Sequence, residues 1–325
     1  MVFGQARKGP FLFFRAAEKW QRVGIMDKNE FRELAHNDII LLDGATGTSL
    51  LEAGMPDHVC AEKWITENPE AILKLQREYV KAGSRIIYAP TFGANRIRLK
   101  RYGLEGEVKS LNAQAVALSR KAAGSALVAG DISMSGETLE PYGDLEYEEL
   151  VDAYKEQALA LEEAGADLIV AETIMDLNEA KAALEASLEA TDLAVMVTMT
   201  FESSGKTMFG VTPAQAAKTL ADMGACAVGA NCSAGPEQMI PVVEEMAAAV
   251  DIPIIAKPNA GKPLPSFGKR VRYDIDQDTF AVMMTKIVDA GANIIGGCCG
   301  TTPEYIKQLS ILCENMTFNR KTAEE

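Results

Sequence analysis

Four stretches of the chain repeat one pattern of apolar and polar positions. Each ends a helical periodicity on a glycine and runs at once into a short apolar block. The glycines are Gly83, Gly165, Gly224 and Gly291. Before Gly83, Ile72, Leu75 and Tyr79 recur at helical spacing; before Gly165, Val151, Tyr154, Ala158 and Leu161 do so. Phe280, Met284 and Ile287 precede Gly291, and Thr212-Pro213 is a helix start ahead of Gly224. A glycine in that place supplies the positive φ that closes a helix. The apolar blocks that follow are continuous rather than alternating, as in a parallel strand buried on both faces.

Successive glycines lie roughly 60–80 residues apart, the length of about two βα units. A further strand is therefore predicted in each gap, at 126–131, 193–201 and 252–259, with another at 39–43 ahead of them all. Eight parallel strands alternating with helices give an α/β fold, the (β/α)8 TIM barrel. A doubly wound open sheet is the structural alternative, but Asp43-Gly44-Ala45-Thr46-Gly47-Thr48 lacks the glycine spacing of a dinucleotide turn. The barrel is assigned to residues 29–316. Residues 1–28 read as a disordered or non-native extension, with Met26 as a possible natural start, and 317–325 as a disordered tail. Arg7, Lys8, Arg15, Lys19 and Arg22 surround only one short apolar block, Phe11 to Phe14, too short for a signal peptide.

Composition narrows the function. The chain is 48% hydrophobic and 24% charged, which fits a folded globular protein. Its net charge of −14 argues against nucleic acid as a partner. No apolar run is long enough to span a bilayer, so no membrane role and a cytoplasmic location are expected. The six cysteines are too sparse for a disulfide scaffold.

In a barrel, chemistry sits at the C-terminal ends of the strands. Aligning the repeats brings Pro90-Thr91, Glu172-Thr173, Asn231-Cys232 and Cys298-Cys299 to one rim. The remaining strand ends add Asp43, Asp131 to Ser133, Thr200-Phe201 and Pro258-Asn259. Three thiols at one rim suit a catalytic zinc, which takes three protein ligands and keeps one position open. Adjacent cysteines reach one metal only where the strand has ended, and Gly296, Gly297 and Gly300 permit such a turn. Thr301 and Glu304 have capping-box spacing, so a helix is expected to follow. Two other readings stay open: buried cysteines acting as small hydrophobes, and a glycine corner cradling phosphate.

The Asp43 to Thr48 segment, Asn231-Cys232-Ser233, the run Pro258-Asn259-Ala260-Gly261-Lys262-Pro263 and the Gly296 to Glu304 run together resemble the homocysteine S-methyltransferase family. The resemblance is nearest to the homocysteine-binding module of cobalamin-dependent methionine synthase, and Thr91 to Asn95 and Gly130 to Ser133 share it. It implies zinc on Cys232, Cys298 and Cys299, with Asn259 as a fourth ligand before substrate binds. It implies Asp43 and Glu172 at the substrate amino group, and Thr91 and Ser133 as further substrate-binding residues. The expected reaction is attack of a zinc-bound homocysteine thiolate on a methyl group, giving methionine. No Asp-x-His-x-x-Gly corrinoid motif is present, so the methyl-corrinoid (methylcobalamin or a relative) is expected on a separate protein with its own methyltransferase. S-methylmethionine and betaine are the small donors of other branches. Two rival readings are a Schiff-base lyase using Lys257 and a non-catalytic zinc subunit.

Overall fold

A computed structural model describes residues 27–233, 235–264 and 271–323. The expected N-terminal extension lies almost wholly outside them. Asp27 caps the first helix, α1 (Lys28–Asn37), through its side chain. The last helix is α12 (Pro303–Ala323).

Eight strands form one parallel sheet. They are β1 (Ile40–Leu41), β2 (Ile86–Tyr88), β3 (Leu127–Ile132), β4 (Leu168–Ile174), β5 (Val195–Met199), β6 (Ala227–Cys232), β7 (Ile254–Pro258) and, after a short hairpin of β8 (Pro263–Leu264) with β9 (Arg272–Tyr273), β10 (Ala292–Ile295). Their order in the sheet is β1-β10-β7-β6-β5-β4-β3-β2. The ends of this sheet meet where the Arg85 N–H donates to the Leu41 carbonyl at 2.7 Å. The result is the (β/α)8 barrel that the repeat predicts. Beyond the ladder, Leu42 and Asp43 continue β1 against β10 through Leu42 N–H to Ile295 O and Gly297 N–H to Asp43 O.

Around the sheet run α2 (Gly47–Glu52), α3 (Ala61–Glu67), α4 (Pro69–Ala82), α5 (Arg96–Lys100), α6 (Val108–Ala123), α7 (Tyr147–Glu163), α8 (Leu177–Ala190), α9 (Pro213–Met223), α10 (Pro236–Ala247) and α11 (Gln277–Asp289). The four junction glycines all hold positive φ, between 86° and 118°. Thr212 and Gln215 form a reciprocal capping box on α9. At α12 the expected box does not form: Thr301 donates its hydroxyl to the Cys298 carbonyl instead, and the helix begins at Pro303.

Alternation along each strand divides the core in two. Outward positions such as Leu41, Ile87, Val128, Ile169 and Val197 pack beneath the helices. Inward positions Ile40, Leu42, Ile86, Leu127, Leu168, Met196 and Ile255 fill the barrel, and Phe31 of α1 closes its N-terminal end. Nearer the opposite rim the inward residues turn polar: Asp43, Asp131, Asn231 and Lys257 are all buried. The β8–β9 hairpin stands on the segment between β7 and α11.

Candidate active site

Cys232 ends β6, while Cys298 and Cys299 follow β10 after its last ladder residue. Their sulfurs all lie within 4.8 Å of one another. Cys232 Sγ is 4.0 Å from Cys299 Sγ. Three sulfurs sharing a tetrahedral zinc at about 2.3 Å would stand about 3.8 Å apart, so the set is spaced to hold such an ion. The backbone is bent to achieve this. Cys232 and Ser233 have φ of 62° and 58°, a left-handed conformation costing about 1–2 kcal/mol for each such residue.

The second arm is fixed by its main chain. The Cys298 N–H donates to Pro258 O at 2.8 Å, and the Ala260 N–H to Cys299 O at 2.9 Å. Gly300 (φ 82°) has no room for a Cβ, which would fall 2.2 Å from the Tyr273 ring. The glycine corner therefore wraps three sulfurs, leaving the phosphate reading without support.

The thiols cannot all ionise alone. Hydrogen bonds from Cys298 and Cys299 lower Cys232 to about 3. In turn the bond to Cys232 pushes Cys299 up to about 12 and Cys298 upward as well. A divalent cation is what would let all three become thiolates. Asn259 is buried beside them, contacts Cys232, and leaves its Oδ1 without a hydrogen-bond partner. That donor set fits zinc.

Beneath the sulfurs lies a charged layer. Lys257 Nζ is 3.0 Å from Asp43 Oδ1 and 3.8 Å from Glu172 Oε2. It also sits 3.6 Å from the centre of the Tyr88 ring. Burial disfavours its charge, but the facing carboxylates of Asp43 and Glu172 outweigh this and hold it well above the ordinary lysine range. Schiff-base chemistry needs the opposite, a neutral amine, so the geometry gives that rival no support. Burial and the adjacent Glu172 push the Asp131 carboxyl well above the usual range. Burial also raises Glu172, against the pull of Lys257.

Thr91 and Ser133 reach the same rim with their hydroxyls engaged on main chain. Thr91 Oγ1 donates to Asp131 O at 2.7 Å, and Ser133 Oγ donates to Glu172 O at 2.7 Å. Both residues are fully buried, so they position the acids of β3 and β4.

Three further residues reach the site without having been given a role from the sequence. Tyr273 arrives on the hairpin and stands beside Cys299. Asn231 accepts from Thr173 N–H and Thr198 Oγ1, both at 2.9 Å, and its Nδ2 points at Cys298 Sγ at 3.9 Å. Asp131 carries a buried Oδ1 with no partner. Asn231 and Asp131 stand at strand ends that the repeat aligns; no sequence signal marks Tyr273.

The family model for homocysteine S-methyltransferase matches residues 40–313. The chain belongs to the homocysteine S-methyltransferase family. As a member of that methyltransferase family it is 30% identical over 291 residues to a methionine synthase of Mycobacterium leprae, covering 84% of this chain and 24% of that protein. A methionine synthase of Mycobacterium tuberculosis gives 30% over 297 residues, covering 86% and 25%. The chain thus spans about a quarter of the length of these curated relatives. Among solved structures, the metallated homocysteine methyltransferase MmuM of Escherichia coli aligns with a TM-score of 0.72 at 26% identity. That alignment covers 86% of this chain and 98% of MmuM. No helix among the described residues is long and apolar enough to cross a membrane.

Proposed function

We propose that this family member is a zinc-dependent enzyme that makes methionine from homocysteine. The convergence of three thiols at the C-terminal rim of the barrel carries this reading. Cys232, Cys298 and Cys299 would hold the ion, and Asn259 would complete the set before substrate enters. Zinc held there supplies the acidity that turns the acceptor thiol into a nucleophilic thiolate at neutral pH. The chain's own side chains do the rest. Asn231 donates toward the Cys298 sulfur, and Tyr273 stands beside Cys299. The buried acids offer the acceptor's amino group a charged seat, and Lys257 keeps Asp43 compensated.

For the donor we propose a methyl-corrinoid carried by a separate protein, on the strength of the similarity to methionine synthases. A second reading, a small donor such as S-methylmethionine, is favoured by the alignment over 98% of MmuM. The test pairs metal content with methyl transfer to homocysteine from methylcobalamin, methyltetrahydrofolate and S-methylmethionine in parallel. About one zinc per chain, lost in Cys298→Ala, with turnover from methylcobalamin is the expected result. Turnover from S-methylmethionine alone selects the second reading. Protein purified without chelators that holds no metal and exposes all its thiols to titration sinks the mechanism.

A further inference from the structure

We propose that Thr173 is a positioning residue for the metal centre: it locks the Asn231 amide so that one N–H is committed to the Cys298 sulfur, where it draws charge off that thiolate. This rests on the three-thiol metal site proposed above and concerns how the chain tunes those sulfurs.

Asn231 is 1% exposed, and its side chain is gripped from the neighbouring strands. Oδ1 accepts from the Thr173 N–H and from Thr198 Oγ1, both at 2.9 Å. Nδ2 donates to Thr173 Oγ1 at 2.6 Å. The Asn231 carbonyl is held as well, by Thr200 Oγ1 at 3.2 Å. The two ends of an amide are told apart by their partners. Here the partner decides, because a main-chain N–H can only donate, so the atom facing Thr173 N is the oxygen. The nitrogen then lies on the side of Cys298, 3.9 Å from Sγ. Of its two N–H groups, one goes to Thr173 Oγ1 and the other points at the sulfur.

Thr173 is bent to do this. Its φ is 62°, a conformation that a β-branched residue rarely takes. The β4–β5 register shifts between Ala171 and Ile174, across this residue. A regular strand would send the N–H into the ladder and the side chain to one face. The distortion instead turns the N–H and the hydroxyl of one residue onto the same amide. Strain that neighbouring contacts over-determine points to a role at the site. The sulfur is where that role is felt. An N–H on a thiolate is a charge-assisted hydrogen bond. It takes electron density from Cys298, so this sulfur gives less to the metal. The metal is left more electron-poor toward an incoming thiol, and the amide carries part of the charge that thiol adds.

The test loads the full chain with cobalt(II). It reads the sulfur-to-cobalt absorption band, the cobalt dissociation constant and the melting temperature. Asn231→Asp keeps the shape and the acceptors for Thr173 and Thr198 but loses the donor. Its band should move to longer wavelength, with cobalt bound about tenfold to a hundredfold more weakly. Thr173→Ala and Thr173→Gly both lack the hydroxyl, while Gly alone relieves the φ. Both should show one common band shift, smaller than that of Asn231→Asp, although the Gly variant melts higher. Thr173→Ser keeps the hydroxyl and should keep the wild-type band and affinity. The Thr173 series carries the test should Asn231→Asp fail to fold. A purely structural role would leave the band still or make it follow the melting temperature, and either result overturns the proposal while the three-thiol site stands. A Ser variant that shifts like Ala overturns it too. A wild type that takes up no cobalt removes the metal site and the proposal together.

Discussion

Lys257 is a buried cation held by Asp43, 214 positions away at 3.0 Å, and by Glu172 at 3.8 Å. Removing one member of a buried pair strands the other, at about 3–5 kcal/mol. Lys257→Met should therefore lower the unfolding free energy by about that amount, measured by urea denaturation of the metal-free chain. Adding Asp43→Leu should restore part of the loss, because the charge stranded most closely is then gone and only Glu172 keeps a lost partner. An unchanged midpoint in Lys257→Met would show that Asp43 does not depend on the pairing. This contact was not legible in the sequence. Strand-end alignment places both residues at one rim, but nothing local states which acid a lysine meets across the barrel. Tyr273 is harder still, since its position comes from a hairpin that breaks the repeat. The cysteines were legible because glycines mark the turn that adjacent thiols require.

At the level of strands and helices, the repeat was readable because strands buried on both faces leave continuous apolar blocks, each announced by a helix-ending glycine. Strand glycines inside those blocks carry a second message. A Cβ at Gly229 would fall 2.0 Å from the Ile255 carbonyl oxygen of the next strand, whereas one at Gly130 would meet the Leu161 side chain at 2.8 Å. A ladder carbonyl cannot withdraw, but a leucine tip can. Gly130→Ala should cost about 1 kcal/mol and Gly229→Ala at least about 3. Equal thermal shifts in the two variants would contradict that ranking. Helix α8 supplies another element-scale test. Its buried Glu179 accepts from Ser135 N–H, Ser135 Oγ and Tyr154 OH, tying down the segment after β3. Burial raises its pKa, with Asp176 adding to the rise and the three donors opposing it. A carboxyl raised in the folded state contributes stability at low pH that is lost as pH climbs from its unfolded value of 4.5. Glu179→Gln should thus gain on the wild type as pH rises above that value. A difference in melting temperature that stays flat with pH would refute the sign.

Across the whole molecule, the barrel divides its labour between two ends. Phe31 of α1 is fully buried against the inward residues at the N-terminal end. Truncation to alanine should cost about 3–5 kcal/mol while metal stoichiometry at the other end stays at the wild-type value. Loss of metal binding in Phe31→Ala would mean that the two ends are coupled. The plug has a consequence for the order of events. Among the described residues, Phe31 and the inward side chains above it fill the barrel below the acid layer, on which the sulfurs stand. Any acceptor seated on those acids has one way in and the same way out. The donor must then come second and its spent form leave first, so saturating donor should slow acceptor entry and appear as substrate inhibition.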